Sequence, residues 1–111
     1  MTKTTLKTSL ERLFSEGVTR YPLMDLARRM HLLGSDTRLK MLALLEEKEM
    51  HVGELTEAIP GVGTSGISQH LAKLHMAGLV EKRRSAQNIY YKGTGDAVVL
   101  VALALLQKSV E

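Results

Sequence analysis

Six polar side chains crowd into ten positions: Thr64, Ser65, Ser68, Gln69, His70 and Lys73. Each type has a use at a nucleic acid. A Gln amide can bond the adenine edge through two atoms at once, and Ser or Thr hydroxyls serve either a base or a phosphate. Ile67, Leu71 and Leu74 interleave with them at helical spacing, so the polar set falls on the opposite face of one helix. Nine residues after Lys73 comes Lys82-Arg83-Arg84, followed by Gln87. Lys and Arg are the side chains that neutralise backbone phosphate. A polar helix face alone is equally well explained by solvation; the cationic run beside it shifts the reading towards DNA.

Other constellations carry less. Gly61-Val62-Gly63-Thr64-Ser65-Gly66 matches G-x-G-x-x-G, and Glu81 follows at nearly the spacing of a dinucleotide fingerprint. The motif needs a hydrophobic strand before it, whereas Glu54–Pro60 is polar and helix-patterned, and no doubly wound sheet fits in this length. We therefore expect no cofactor there. His70 and His75 lie five residues apart, about 140° around a helix, and cannot share a ligand face. His31 and His51 come from separate elements with no carboxylate spacing to support them, so surface or packing roles are expected and no metal site is assigned. Met24, Met30, Met41, Met50 and Met76 sit mostly at helical spacings, which predicts core filling. No Ser/His/Asp set, paired carboxylates or phosphate loop stands in a context that would support an enzyme. With no Cys, the 111-residue chain has no disulfide framework, thiolate zinc site or thiol switch.

These residues must be positioned by a small scaffold. The length supports one domain, residues 1–111, and 44% hydrophobic with 24% charged residues is the balance of a folded chain. Leu6, Leu10, Leu13 and Phe14 predict a helix over 4–16. Pro22 suits the first turn of a second helix, 22–33, with Leu23, Leu26, Met30 and Leu33 as its stripe and Gly34 as its stop. A third helix starts near Asp36, capped by Ser35 or Asp36, with Leu39, Leu42 and Leu45 inward. A short helix covers about 53–59, a Pro/Gly turn follows, and a helix over 64–77 ends at Gly78. The period then changes: 79–84 and 88–92 read as two strands joined by Ser85-Ala86-Gln87. Asp96 caps a last helix, 97–109, apolar on every face for nearly three turns. Such a helix must be covered all round, and a partner chain is the simplest cover.

Charge follows the same map. The total is +3, but residues 1–35 carry +3, 36–63 carry −3, 64–92 carry +4 and 93–111 carry −1. The basic block coincides with the polar helix and hairpin. Four aromatics are too few for a base-stacking platform. Lys3 and Lys7 lack the apolar run of a signal peptide, and the longest apolar run, Ala97–Leu106, is half of a membrane span. A cytoplasmic protein is expected.

Helix, short helix, turn, amphipathic helix and basic hairpin, in that order, describe a winged helix-turn-helix. The chain resembles the ArsR/SmtB winged-helix repressors. Leu33–Leu42 is similar to their opening signature, Val52-Gly53-Glu54-Leu55 to the start of their first DNA-proximal helix, and Ile67–Leu74 to their recognition helix. Ala77-Gly78-Leu79-Val80 and Ile89-Tyr90-Tyr91 resemble the two strands of their wing. The resemblance implies a mainly α fold of about six helices with a two-stranded wing, dimerising through about 4–16 and 96–109. It implies a helix-turn-helix at about 53–77, a wing at about 79–92, and DNA-reading positions at Ser68, Gln69 and His70. It also marks departures. His51 and Gly53 stand where many relatives place a Cys-x-Cys metal pair, and no His follows His75 to complete a last-helix site.

The expected function is a sequence-specific, double-stranded-DNA-binding repressor, a homodimer on a two-fold-related operator, with no Cys-based sensing and an effector the sequence does not name. The contact set is Thr64, Ser65, Ser68, Gln69, His70, Lys73, Lys82, Arg83, Arg84 and Gln87. The alternatives are a winged-helix protein-interaction module using the acidic stretch 46–57, or an anti-repressor.

Overall fold

Ser35 starts the central part of the fold. In the computed structural model, which describes residues 21–106, its Oγ accepts the Arg38 N–H at 3.2 Å and caps helix α2, Asp36–Glu47. Ahead of it lies α1, Leu23–Leu33, and Pro22 precedes the first helical residue. The chain then forms a two-residue strand β1 (Met50–His51), a short helix α3 (Val52–Ala58) and the longer α4 (Gly63–Met76). The strands β2 (Val80–Ser85) and β3 (Asn88–Gly93) and a helix α5 (Ala97–Ala104) complete the order. The sheet is antiparallel with strand order β1-β3-β2.

The described residues therefore hold five helices and a three-stranded sheet, where about six helices and a two-stranded hairpin were expected. The expected helix over 4–16 lies outside the described residues. The third strand is Met50–His51, which pairs with Tyr91 and Tyr90 of β3. Two residues are too short to show a period of two, so β1 left no mark in the sequence. The last helix ends at Ala104, short of the expected 109, with the final residues 107–111 outside the described set.

Side chains from every layer meet in one core. Met41, Leu42 and Leu45 of α2, Leu55 of α3, Ile67, Leu71 and Leu74 of α4, Leu79 just before β2, Val80 at its start, and Val99 of α5 are all buried. The inward stripe of α4 follows helical spacing. Elsewhere the stripe is shifted. In α1 the buried residue is Leu32, while Leu23 and Met30 are exposed, and in α2 it is Met41, not Leu39, that is fully enclosed. The methionines divide likewise: Met41 and Met50 fill the core, whereas Met24, Met30 and Met76 are exposed.

Gly78 ends α4 as the sequence predicts. With φ at +77° it lets its own N–H bond His75 O and the Leu79 N–H bond Leu74 O, at 3.0 and 2.9 Å. This pair of bonds is the Schellman closure, and the buried Leu74 and Leu79 supply its apolar contact. It turns the chain directly from α4 into β2, which fixes the wing relative to α4.

Candidate nucleic-acid interface

The helix-turn-helix begins with an unusual cap. The His51 side chain caps α3, its Nδ1 accepting the Glu54 N–H at 3.3 Å while Glu54 Oε1 accepts the His51 N–H at 3.0 Å. This reciprocal box occupies one ring nitrogen of a residue weighed above as a ligand. His31 is exposed near the end of α1. Among the described residues, no three His, Asp or Glu side chains gather as metal ligands would.

On α4, Thr64, Ser65, Ser68, Gln69 and Lys73 are exposed, opposite the buried Ile67, Leu71 and Leu74. Ala72 and Met76 are exposed between them, and the sequence reading left both out of the outer face. At 100° per residue Ser65, Gln69, Ala72 and Met76 fall along one outward line. An apolar methyl there can meet a thymine methyl. A Cβ at Gly66 would lie 2.7 Å from Val62 Cγ1, so the glycine lets the preceding turn pack onto the helix.

His70 differs from its neighbours. It is half-buried, at the edge of the core stripe nearest Lys73, and its Nδ1 lies 3.2 Å from Arg38 Nη1. Arg38 is itself held, its Nε donating to Leu32 O at 2.6 Å. Burial, then the charges of Arg38 and Lys73, push the His70 pKa below the ordinary imidazole value. Arg38 therefore joins the neighbourhood of α4. Its place in the helix-opening signature gave no sign of this, because the contact spans 32 residues.

The wing has two unlike faces. Val80, Lys82 and Arg84 lie opposite Gly93, Tyr91 and Ile89, whereas Glu81, Arg83 and Ser85 lie opposite Lys92, Tyr90 and Asn88. Val80 is buried and Tyr91 packs against the core, so the first set shares the side of the sheet that the helices cover. Lys82 and Arg84 are exposed and have no ion pair among the described residues. Arg83, expected as unopposed charge, is not. Its Nε and Nη2 donate to the two carboxylate oxygens of Glu49 at 2.7 and 2.6 Å, and its guanidinium sits 5.1 Å from the Tyr90 ring centre. Those hydrogen bonds, opposed by desolvation and helped by the Arg83 and Lys92 charges, hold the Glu49 carboxyl below its usual range. Strand alternation is the reason: it sends Arg83 to the face where the α2–β1 connection places an acid. Gln87 is exposed at the wing tip, in a two-residue turn whose Ala86 takes φ +56°.

A half-buried carboxylate ties the first and last described helices. Asp96 Oδ2 accepts from Tyr21 Oη at 2.8 Å and Arg29 Nε at 2.9 Å, while Oδ1 caps α5 by accepting the Val98 and Val99 N–H groups. Arg29 also stacks 4.1 Å from the Tyr21 ring centre. Burial pushes the Asp96 carboxyl upward, but the bonds from Arg29, Tyr21 and Val99 outweigh it and hold it below the ordinary range.

Comparison with known proteins bears on this geometry. Residues 35–82 match the family described as bacterial regulatory protein, arsR family. The chain is 42% identical over 73 residues to the nodulation protein NolR of Rhizobium meliloti, across 66% of this chain and 59% of that protein. The crystal structure of NolR from Sinorhizobium fredii superposes with a TM-score of 0.67 at 35% identity, covering 78% of this chain and 93% of that one. The homodimeric winged helix-turn-helix DNA-binding domain Mb0332 of Mycobacterium bovis gives 0.64 at 35% identity, covering 74% and 76%. The chain spans about half the length of the curated relatives it matches. No helix among the described residues is long and apolar enough to cross a membrane.

Proposed function

Because the chain belongs to the arsR family of bacterial regulatory proteins, we propose that it is a homodimeric repressor that binds a two-fold-related operator in double-stranded DNA. One observation supports this reading: Thr64, Ser65, Ser68, Gln69 and Lys73 are exposed on α4, and Lys82 and Arg84 of the strand that follows it are exposed with no ion pair among the described residues. A major groove about 12 Å wide admits one α-helix, and phosphates flank it. Ser65, Ser68 and Gln69 then face base edges, with Gln69 placed to bond an adenine. Thr64, Lys73, Lys82, Arg84 and Gln87 meet the backbone. Arg83 acts within the wing, since its guanidinium is already engaged by Glu49.

Repression is steric in this account: a bound dimer occupies the promoter until an effector alters the separation of its two α4 helices. The exposed apolar side chains of α1 and α5 support the dimer. The protein-interaction alternative loses part of its basis, because Glu49 in the acidic stretch is tied to Arg83. Selection of bound duplexes from a random pool, at low and moderate salt, is the test. The expected product is an inverted repeat with half-sites about one helical turn, roughly 10 bp, apart or a multiple of that. Recovery of no common sequence would overturn the proposal.

A further inference from the structure

We infer that Arg38 fixes the His70 ring as the tautomer protonated on Nε2, so that His70 offers DNA a hydrogen-bond donor and reads an acceptor. The inference deepens the DNA-binding reading above and rests on it. An arginine guanidinium has five N–H donors and no acceptor, and it does not lose its proton in proteins. The 3.2 Å approach of Arg38 Nη1 to His70 Nδ1 is therefore a hydrogen bond only if Nδ1 is the acceptor. A proton on Nδ1 would set two donors face to face. The neutral ring then carries its single proton on Nε2.

The guanidinium has little freedom to offer another arrangement. Its Nε is committed to Leu32 O at 2.6 Å, and the Arg38 backbone N–H is bonded to the Ser35 cap, so the side chain leaves a fixed point at the start of α2. The charged groups that face the ring are Arg38 from α2 and Lys73 from α4. Both oppose a second proton on the imidazole, as does burial. The ring thus stays neutral and keeps one defined donor. Among the described residues no buried side-chain nitrogen lacks a partner, and the bond at Nδ1 is the ring's only hydrogen bond to them. Nε2 accordingly reaches the surface, on the Lys73 edge of α4. The acceptors it meets there are purine N7, guanine O6 or a phosphate oxygen.

Two measurements test this. Nitrogen-detected imidazole spectra of the free full chain at neutral pH should show His70 with a bare Nδ1 and a protonated Nε2. A proton on Nδ1, or a mixture of both forms, would overturn the inference without touching the DNA-binding proposal. The second measurement compares His70→Asn and His70→Gln on a duplex selected by the wild type and on a random duplex. Asn keeps an acceptor near the place of Nδ1 for Arg38 and has nothing at Nε2; Gln places its amide near Nε2. Binding of His70→Asn to the selected duplex should fall about three- to tenfold, the range of one hydrogen bond, while His70→Gln keeps most of it. A loss confined to the selected duplex identifies a base acceptor, and an equal loss on both identifies phosphate; either supports the inference. Equal binding by both variants and the wild type would overturn it. If the wild type itself selects no sequence, the function proposal falls and takes the reader role of His70 with it, while the spectra still report the tautomer.

Discussion

Arg83 and Arg84 are neighbours with opposite surroundings. Arg83 is clamped by both oxygens of Glu49, whereas Arg84, on the other face of the hairpin, makes no ion pair among the described residues. Each phosphate neutralised by a free cation contributes about one unit to the salt slope of binding. Arg84→Ala should lower that slope by about one and weaken binding to every duplex, and Arg83→Ala should leave the slope unchanged; anisotropy titrations across salt concentrations decide. Asp96 makes a second residue-scale prediction. Its carboxyl is held below the ordinary range in the folded chain, so its stabilisation is fully present above the unfolded-state value and is lost as pH falls through the folded one. Asp96→Asn keeps a capping oxygen and removes the charge facing Arg29. It should cost about 2–3 kcal/mol at neutral pH, less than a wholly buried pair because Arg29 keeps some water. Urea melts should show that difference shrinking in acid; a constant difference would mean that the ion pair does not carry it.

At the scale of elements, the junction between α4 and β2 sets where the wing lies. Gly78 has open space around it, so a side chain there meets no neighbour and its cost is conformational. Gly78→Ala should destabilise by about 1 kcal/mol through the left-handed backbone alone, and Gly78→Asn by less, as read from thermal unfolding. An equal cost for both would point to a packing role instead. This junction was legible in the sequence because glycine after an apolar periodic run has few other meanings. So were Asp96 as a cap, Ser35 as one of two candidates for the cap of α2, and the change of period at residue 79. What could not be read was set by distant residues. Met50–His51 is a strand only because β3 offers it an edge, and His51 is a cap only because Glu54 answers it. Met30 turns outward and Leu32 inward, although the apolar stripe of that helix read by itself includes Met30 and omits Leu32.

At the scale of the molecule, the apolar last helix remains the feature that most needs a partner. Only Val99 of α5 is buried, while Leu100 is 41% exposed and Leu105 64%. Leu23, Met24 and Met30 of α1, the helix packed against it, are exposed as well. Burying such surface releases roughly 25 cal/mol per Å², and a second copy supplies a matching face. Leu100→Glu should convert a two-chain species into a single chain in sedimentation experiments while helical content is retained; an unchanged mass would place the dimer contact elsewhere. The composition anticipated this need, since the chain is small and its last helix apolar. It also concentrated positive charge over residues 64–92, where the proposed contact residues lie. It did not separate Arg83 from Arg84 or place Arg38 beside His70, because strand alternation and a contact 32 residues apart decide those.

The central claim is that α4 reads sequence and the wing cations supply affinity. Competition binding of the wild type and Gln69→Ala, on the selected duplex against random duplex at fixed salt, tests it most directly. The account predicts that Gln69→Ala loses about 1–3 kcal/mol of preference for the selected duplex while its binding to random duplex is unchanged. An equal loss on both duplexes, or none on either, would contradict it.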